Sequence, residues 1–123
     1  MRARAAVAAL SLLAACAHGR SPGAAAEEPQ VGIASFYGRD LEGRPTASGA
    51  RYDGRAMTCA HRSFPFGALL EVTDLETGRT VRVTVNDRGP FAEGRIVDLS
   101  REAARRLGIL ERGLARVRVE RIR

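Results

Sequence analysis

The stretch TVRVTVNDRGPF at residues 80–91 decides the fold. In it, apolar and polar residues alternate with a period of two, and a turn sequence follows directly. Val81, Val83 and Val85 alternate with polar residues, a pattern that predicts a strand with one buried face. The Gly-Pro pair that follows is typical of a tight turn. Asp87, fixed at the end of this strand, is a candidate general acid or base. The structural alternative is a polar turn that caps the strand.

Five further segments around this strand have β-strand character, and the sequence ETG between one of them, residues 69–73, and this strand predicts a hairpin turn. These segments cover residues 31–37, 57–60, 69–73, 95–99 and 114–122. One short helix is predicted at about 100–107, with Ser100 as its N-cap and Gly108 at its end. Six short strands and one helix predict a mainly β fold, a small closed barrel without exposed sheet edges.

The N-terminal residues predict export from the cytoplasm. Residues 1–15 resemble a signal peptide, with two arginines before an apolar run that is too short to span a bilayer. The sequence LAAC ends at Cys16 and resembles the bacterial lipobox, so Cys16 is the predicted lipid-bearing residue; the alternative is an ordinary signal peptide. Ala17 lacks the acidic side chain of an inner-membrane retention signal, which favours the periplasmic face of the outer membrane.

The rest of the chain divides into a lipidated flexible tether at residues 16–29 and one domain at 30–123. The formal net charge is +6, but acids are interspersed among the arginines, which argues against nucleic-acid binding. No metal-ligand motif or phosphate-binding glycine loop is present in the sequence, so we expect no metal and no cofactor. With Cys16 lipidated, no disulfide is expected, and Cys59 is interpreted as a core residue rather than a nucleophile.

Several other polar or aromatic residues lie in loops or at strand ends. His61 ends the TCAH segment, where it either tunes a carboxylate by hydrogen bonding or serves a structural role. Residues 35–38 and 46–53 offer aromatic faces and hydroxyls suited to sugar rings, the alternatives being barrel packing and turn formation. The candidate substrate-binding residues are Tyr37, Thr46, Ser48, Tyr52, Asp53 and Arg88.

Together these segments resemble the rare lipoprotein A family across nearly the whole domain. The matching motifs are ASFYG (34–38), TASG (46–49), YD (52–53), TCAH (58–61), PFG (65–67), VNDRGPF (85–91) and RIVDLS (95–100). The resemblance implies a six-stranded double-psi β-barrel, the fold of expansins, that acts on peptidoglycan glycan strands. It also implies lytic transglycosylation, in which the 6-hydroxyl of N-acetylmuramic acid displaces N-acetylglucosamine and leaves a 1,6-anhydro end.

Within that resemblance, Asp87 matches the family's catalytic aspartate and His61 a histidine of its motifs. Asp87 would give a proton to the glycosidic oxygen and then take one from the 6-hydroxyl, provided that burial or a second carboxylate keeps its carboxyl protonated. The family commonly has glutamate where this chain has Ala50. We consider Asp53 or Glu42 as its replacement.

The alternative function is a non-catalytic peptidoglycan-binding or wall-loosening lipoprotein, and a third is a structural partner of other wall enzymes. Hydrolysis is less favoured because the sequence places no second carboxylate opposite Asp87. Arg88 either contacts a muramic carboxylate or pairs with Asp98. Many family members carry a C-terminal peptidoglycan-binding repeat; because this sequence ends at Arg123, we expect no septal targeting through such a repeat.

Overall fold

The structure is a computed structural model that describes residues 28–123. The elements run in the order β1 (Gln30–Phe36), β2 (Thr58–His61), β3 (Leu69–Asp74), β4 (Thr80–Asp87), β5 (Arg95–Leu99), α1 (Arg101–Leu107) and β6 (Ala115–Arg121). All predicted strands and the helix are present, with ends shifted by at most two residues. A short 3-10 turn at Arg39–Leu41 was not predicted. The predicted signal peptide, Cys16 and nearly all of the tether lie outside the described residues.

The six strands close into a barrel in the order β1-β5-β2-β4-β3-β6, with β6 pairing back onto β1. Two neighbouring pairs, β1 with β5 and β2 with β4, run parallel, and the other four are antiparallel. Closure pairs every strand on both sides, which removes exposed sheet edges in this part of the chain. The predicted mainly β closed barrel with one helix is confirmed.

The alternation that predicted β4 reflects its burial in the barrel. Val81, Val83 and Val85 are between 0% and 6% exposed, and each contributes about 1.5–3 kcal/mol by leaving water. The predicted hairpin is also present, since Asp74 and Arg79 are joined by a backbone hydrogen bond of 2.8 Å and β3 pairs antiparallel with β4. Gly78 in this turn has φ of +80°, which favours glycine.

The helix α1 has the caps that the sequence predicted. The Ser100 hydroxyl accepts a hydrogen bond from the amide of Ala103, and Gly108 ends the helix in the left-handed conformation. Ala103, Ala104 and Leu107 are fully buried against the barrel. No helix between residues 28 and 123 is both long and apolar enough to cross a bilayer.

The ladder between β2 and β4 contains an irregularity that positions the site described below. Cys59 pairs with Val85, so a regular parallel ladder would pair His61 with Asp87. The register instead shifts by one residue after Cys59, and Asp87 pairs with Ala60. Such bulges redirect side chains near functional sites.

Candidate active-site cleft

An open cleft of about 410 Å³ lies where β1, β4 and β5 approach one another. Tyr37 enters it from beyond β1, Asp87 from the end of β4 and Asp98 from β5, while residues 88–92 form one wall. Of the predicted site residues, Tyr37, Asp87 and Arg88 line this cleft. The others do not: Thr46, Ser48, Tyr52, Asp53 and His61.

Strand pairing places two carboxylates at one level of the barrel. Ala60 of β2 pairs with Asp87 on one side and with Asp98 on the other. Two strand spacings separate these aspartates, so their Cα atoms are roughly 10 Å apart. Ser35 pairs with Asp98 from β1, and its hydroxyl donates a hydrogen bond to Asp98 Oδ1. The sequence did not place a second carboxylate opposite Asp87, whereas the structure brings Asp98 into the same cleft.

Asp87 is held by hydrogen bonds on both carboxylate oxygens. Oδ1 accepts from the amides of Ala47 at 2.8 Å and Arg88 at 2.9 Å, and Oδ2 accepts from the Tyr37 hydroxyl at 2.5 Å. These donors come from three separate segments of the chain. They fix the orientation of the carboxylate, as acid–base catalysis requires.

Tyr37 is the phenol that supports this carboxylate. Partial burial raises its pKa first, followed by the hydrogen bond to Asp87 and the negative charges of Asp87 and Asp98. Tyr37 therefore remains a hydrogen-bond donor at neutral pH. Its ring stacks on the ring of Tyr52, with centroids 4.4 Å apart. Tyr52 is only 3% exposed, and its hydroxyl accepts a hydrogen bond from the amide of Arg101. The fixed ring of Tyr52 therefore stabilises the position of the Tyr37 ring.

The hydroxyls at Thr46 and Ser48 shape the loop that supplies the Ala47 amide. Thr46 Oγ1 donates to the carbonyl of Ala50 at 2.6 Å and lies 3.0 Å from Ser48 Oγ. The amide of Ser48 donates to the carbonyl of Asn86 at 3.3 Å, joining the loop to β4. These two hydroxyls therefore stabilise the loop that carries Ala47, and they do not line the cleft. Ala50 itself is exposed.

The two carboxylates considered as replacements for the missing glutamate are engaged elsewhere. Asp53 accepts from the amide and side chain of Arg55, and the amide hydrogen bond is the largest of the causes that lower its pKa. Glu42 accepts from the amide of Gly54 at 3.0 Å and lines a second hollow beside Tyr52. Neither lines the cleft that contains Asp87.

Arg88 directs its guanidinium toward the protein rather than toward Asp98. It donates to the carbonyls of Phe64 at 2.8 Å and His61 at 3.3 Å, and it lies 4.0 Å from the ring centre of Phe66. Arg88 forms no ion pair with Asp98 within the described residues, so that alternative for Arg88 is not the one the structure has. The Arg88 guanidinium is thus engaged by two backbone carbonyls and an aromatic ring on its own side of the cleft.

His61 lies in a different environment from Asp87. The ring is 2% exposed and stacks on Phe64. Its Nδ1 accepts from the amides of Ser63 and Phe64, each at 3.1 Å, so Nε2 carries the proton and donates to Gln30 Oε1 at 3.0 Å. Burial, and then the positive charges of Arg88 and Arg62, lower the pKa of His61 to about 4. A catalytic role for His61 stays a prediction.

Asp98, Ser35 and Phe91 line the cleft but were not among the predicted site residues. Asp98 and Ser35 belong to the motifs RIVDLS and ASFYG, but only the pairing of β1, β5 and β2 shows that they line the same cleft as Asp87. Between residues 28 and 123, no group of three histidine, cysteine, aspartate or glutamate side chains could hold a metal ion. Cys59 is a fully buried free thiol, which agrees with its interpretation as a core residue.

Comparison with known protein families identifies the relatives of this chain. Residues 29–119 match the family model described as "Lytic transglycolase". A probable endolytic peptidoglycan transglycosylase RlpA from Nostoc is 57% identical over 91 residues, covering 72% of this chain and 24% of that protein. The endolytic peptidoglycan transglycosylase RlpA of Neisseria meningitidis is 46% identical over 97 residues, covering 79% and 41% respectively. This chain thus spans between about a quarter and two fifths of these relatives.

Solved structures resemble the same barrel. The Streptomyces papain inhibitor superimposes with a TM-score of 0.63 at 24% identity, covering 78% of this chain and 96% of that one, which shows a shared fold. An expansin from Clavibacter michiganensis, solved in complex with cellohexaose, gives a TM-score of 0.60 at 27% identity and covers 78% and 51%.

Proposed function

This chain belongs to the rare lipoprotein A family of double-psi β-barrel proteins, and from that membership we propose that it is a peptidoglycan lytic transglycosylase. The substrate is the glycan strand, cut between N-acetylmuramic acid and N-acetylglucosamine. The names of the RlpA relatives support this reaction, and the expansin solved in complex with cellohexaose supports a carbohydrate ligand. One observation carries the proposal: a carboxylate, Asp87, is held by three donors in an open cleft.

In the proposed reaction, Asp87 serves as both acid and base. It gives a proton to the glycosidic oxygen while the bond from that oxygen to C1 of the muramic residue breaks. The 6-hydroxyl oxygen of the same residue then bonds to C1 and returns its proton to Asp87, so no water is consumed. Because Oδ1 already accepts two amide hydrogen bonds, we assign Oδ2 to the two proton transfers of the reaction. Tyr37 holds Oδ2 in place.

We assign Asp98 to charge stabilisation in the same reaction. The ring gains positive character as the C1–O bond breaks, and a fixed negative group nearby lowers the energy of that state. Ser35 occupies one oxygen of Asp98, which leaves the other available to the cleft. This second carboxylate weakens the sequence-based argument against hydrolysis, so the products must be identified.

The deciding experiment incubates the full chain, purified in mild detergent, with isolated glycan strands and analyses the ends by mass spectrometry. We expect 1,6-anhydro ends. Asp87→Asn should lower their rate of formation by at least about 100-fold, and Asp98→Asn by about tenfold or more. Glu111→Gln, which removes an exposed charge outside the cleft, is the matched control and should act like the wild type. Reducing ends instead of anhydro ends would make the protein a hydrolase.

The second candidate function is non-catalytic glycan binding, and Ala50 is the observation that favours it. An alanine supplies neither proton nor charge at a position where the family commonly has glutamate. Strands that bind the wild-type protein but stay uncut would support this function and contradict the transglycosylase.

We further propose that the protein is exported and anchored by lipid on Cys16 at the periplasmic face of the outer membrane. The support is the sequence: a short apolar run, LAAC before the cysteine, and Ala17 after it. Labelling cells with an alkyne analogue of palmitate should mark the wild-type protein and leave Cys16→Ser unmarked. Equal labelling of both would contradict the anchor.

A further inference from the structure

Phe91 is an exposed aromatic residue on the wall of the cleft. Its side chain is 76% exposed, whereas the other exposed large apolar residues of the described part are between 39% and 51% exposed. It lies four residues after Asp87 and lines the same cleft. A single exposed apolar side chain is ordinary on protein surfaces, so exposure alone does not make a site.

The backbone around Phe91 is fixed on both sides by one arginine. Arg62 Nε donates to the carbonyl of Pro90 at 2.6 Å, and its terminal nitrogen donates to the carbonyl of Ala92 at 2.9 Å. These hydrogen bonds hold the residues immediately before and after Phe91. A ring presented from a fixed backbone loses little freedom when a ligand binds, which favours recognition.

The ring of Phe91 is largely open to solvent at the wall of the cleft. It packs near Gly89, where an added Cβ would lie 3.5 Å from the nearest ring carbon. No aromatic or cationic side chain stacks on Phe91 between residues 28 and 123. Phe66 differs, because the guanidinium of Arg88 lies over its ring. Phe91 is therefore a strongly exposed aromatic ring in the cleft on which no described side chain stacks, four residues after the proposed catalytic carboxylate.

We infer that Phe91 is a sugar-stacking residue that binds the apolar C–H face of an aminosugar ring adjacent to the cleaved bond, and that Arg62 is its positioning residue. The inference rests on the proposed action on glycan strands. A β-linked pyranose presents axial hydrogens on a face that matches an aromatic ring, while its hydroxyls point outward to the polar groups of the cleft. Asp87 and Phe91 then act on neighbouring sugar rings of one strand.

The test measures binding of purified glycan strands to the full chain in mild detergent, with Asp87→Asn as the parent so that cleavage during the measurement is strongly slowed. Phe91→Ala should raise Kd about tenfold, and Phe91→Trp should retain parental binding. Phe91→Leu keeps apolar area without an aromatic face and should fall between them. Leu75→Ala, which shortens an exposed apolar side chain outside the cleft, is the matched control and should leave Kd unchanged.

A double-mutant cycle tests the role of Arg62. Arg62→Lys cannot reach both carbonyls at once and should raise Kd several-fold with Phe91 present, but not in the Phe91→Ala background. Equal effects in both backgrounds would show that Arg62 acts only on general structure. Parental binding by Phe91→Ala, with the parent bound to strands, would overturn the stacking inference alone. A parent that binds no strands would overturn the inference together with the proposed function.

Discussion

The ends of β2 and β4 lie side by side, yet one presents a carboxylate to an open cleft and the other encloses a histidine. Asp87 receives three hydrogen bonds that orient it, two on Oδ1 and one on Oδ2, and it lines the open cleft. His61 uses both ring nitrogens within the protein and is 2% exposed. A polar residue at a strand end can therefore serve either catalysis or stability. The difference lies in whether its polar atoms can be reached by a ligand or are all hydrogen-bonded within the protein.

The largest expected effect is a difference in unfolding free energy between variants of His61 and Asp87. His61→Ala removes a buried ring from Phe64 and leaves two backbone amides without their acceptor, so it should lower the unfolding free energy by about 3 kcal/mol or more. Asp87→Asn should change it by less than about 1 kcal/mol, because the cleft is open to water. Urea unfolding measures both. Comparable losses for the two variants would remove the distinction.

A smaller effect concerns pH. The pKa of His61 lies near 4 in the folded protein, against an ordinary value of about 6.5. Between these values the unfolded chain binds more protons than the folded one, so the unfolding free energy falls as the pH is lowered from 6.5 to 4 and this contribution levels off below 4. The fall should amount to about 1–3 kcal/mol.

The control for this pH effect is His61→Asn, whose side-chain oxygen can still accept from the amides of Ser63 and Phe64. Its unfolding free energy should vary less with pH between 6.5 and 4 than that of the wild type. The same slope in both proteins would assign the pH dependence to other groups.

The smallest expected effect concerns the carboxylates outside the cleft. Asp53→Asn and Glu42→Gln should leave the rate of anhydro-end formation within about twofold of the wild type, since both side chains accept local amide hydrogen bonds that an amide oxygen can also accept. A loss comparable to that of Asp87→Asn would show that one of them replaces the family's glutamate, and would place chemistry outside the cleft.

The sequence predicted features that depend on neighbours along the chain. The valine alternation of β4, the hairpin before it and the caps Ser100 and Gly108 are local patterns, and each is present. The motif resemblance also led to Asp87. Asp98 pairs with Ala60, which lies 38 positions earlier in the chain, and this pairing depends on how the barrel closes. No local sequence pattern could therefore predict it.

Two other features escaped prediction for related reasons. The register shift after Cys59 pairs Asp87 with Ala60 rather than with His61, and nothing in the local sequence of β2 or β4 signals it. The orientation of the Arg88 guanidinium depends on hydrogen bonds to the backbone carbonyls of residues 61 and 64. These carbonyls come within reach only when the loop after β2 packs against Arg88. Of the two roles considered for His61, the hydrogen bond to a carboxylate is not made within the described residues, where its partners are Gln30 and the amides of Ser63 and Phe64.

The enclosed thiol of Cys59 has a practical consequence for spectroscopy. It is fully buried, and burial, followed by the nearby charge of Asp98, raises its pKa, so the reactive thiolate is suppressed. Within residues 28–123, a cysteine introduced at an exposed position such as Leu75 would therefore be the fast-reacting thiol. A fluorophore or spin label attached there would report on the barrel from outside the cleft, while the native cysteine stayed in place.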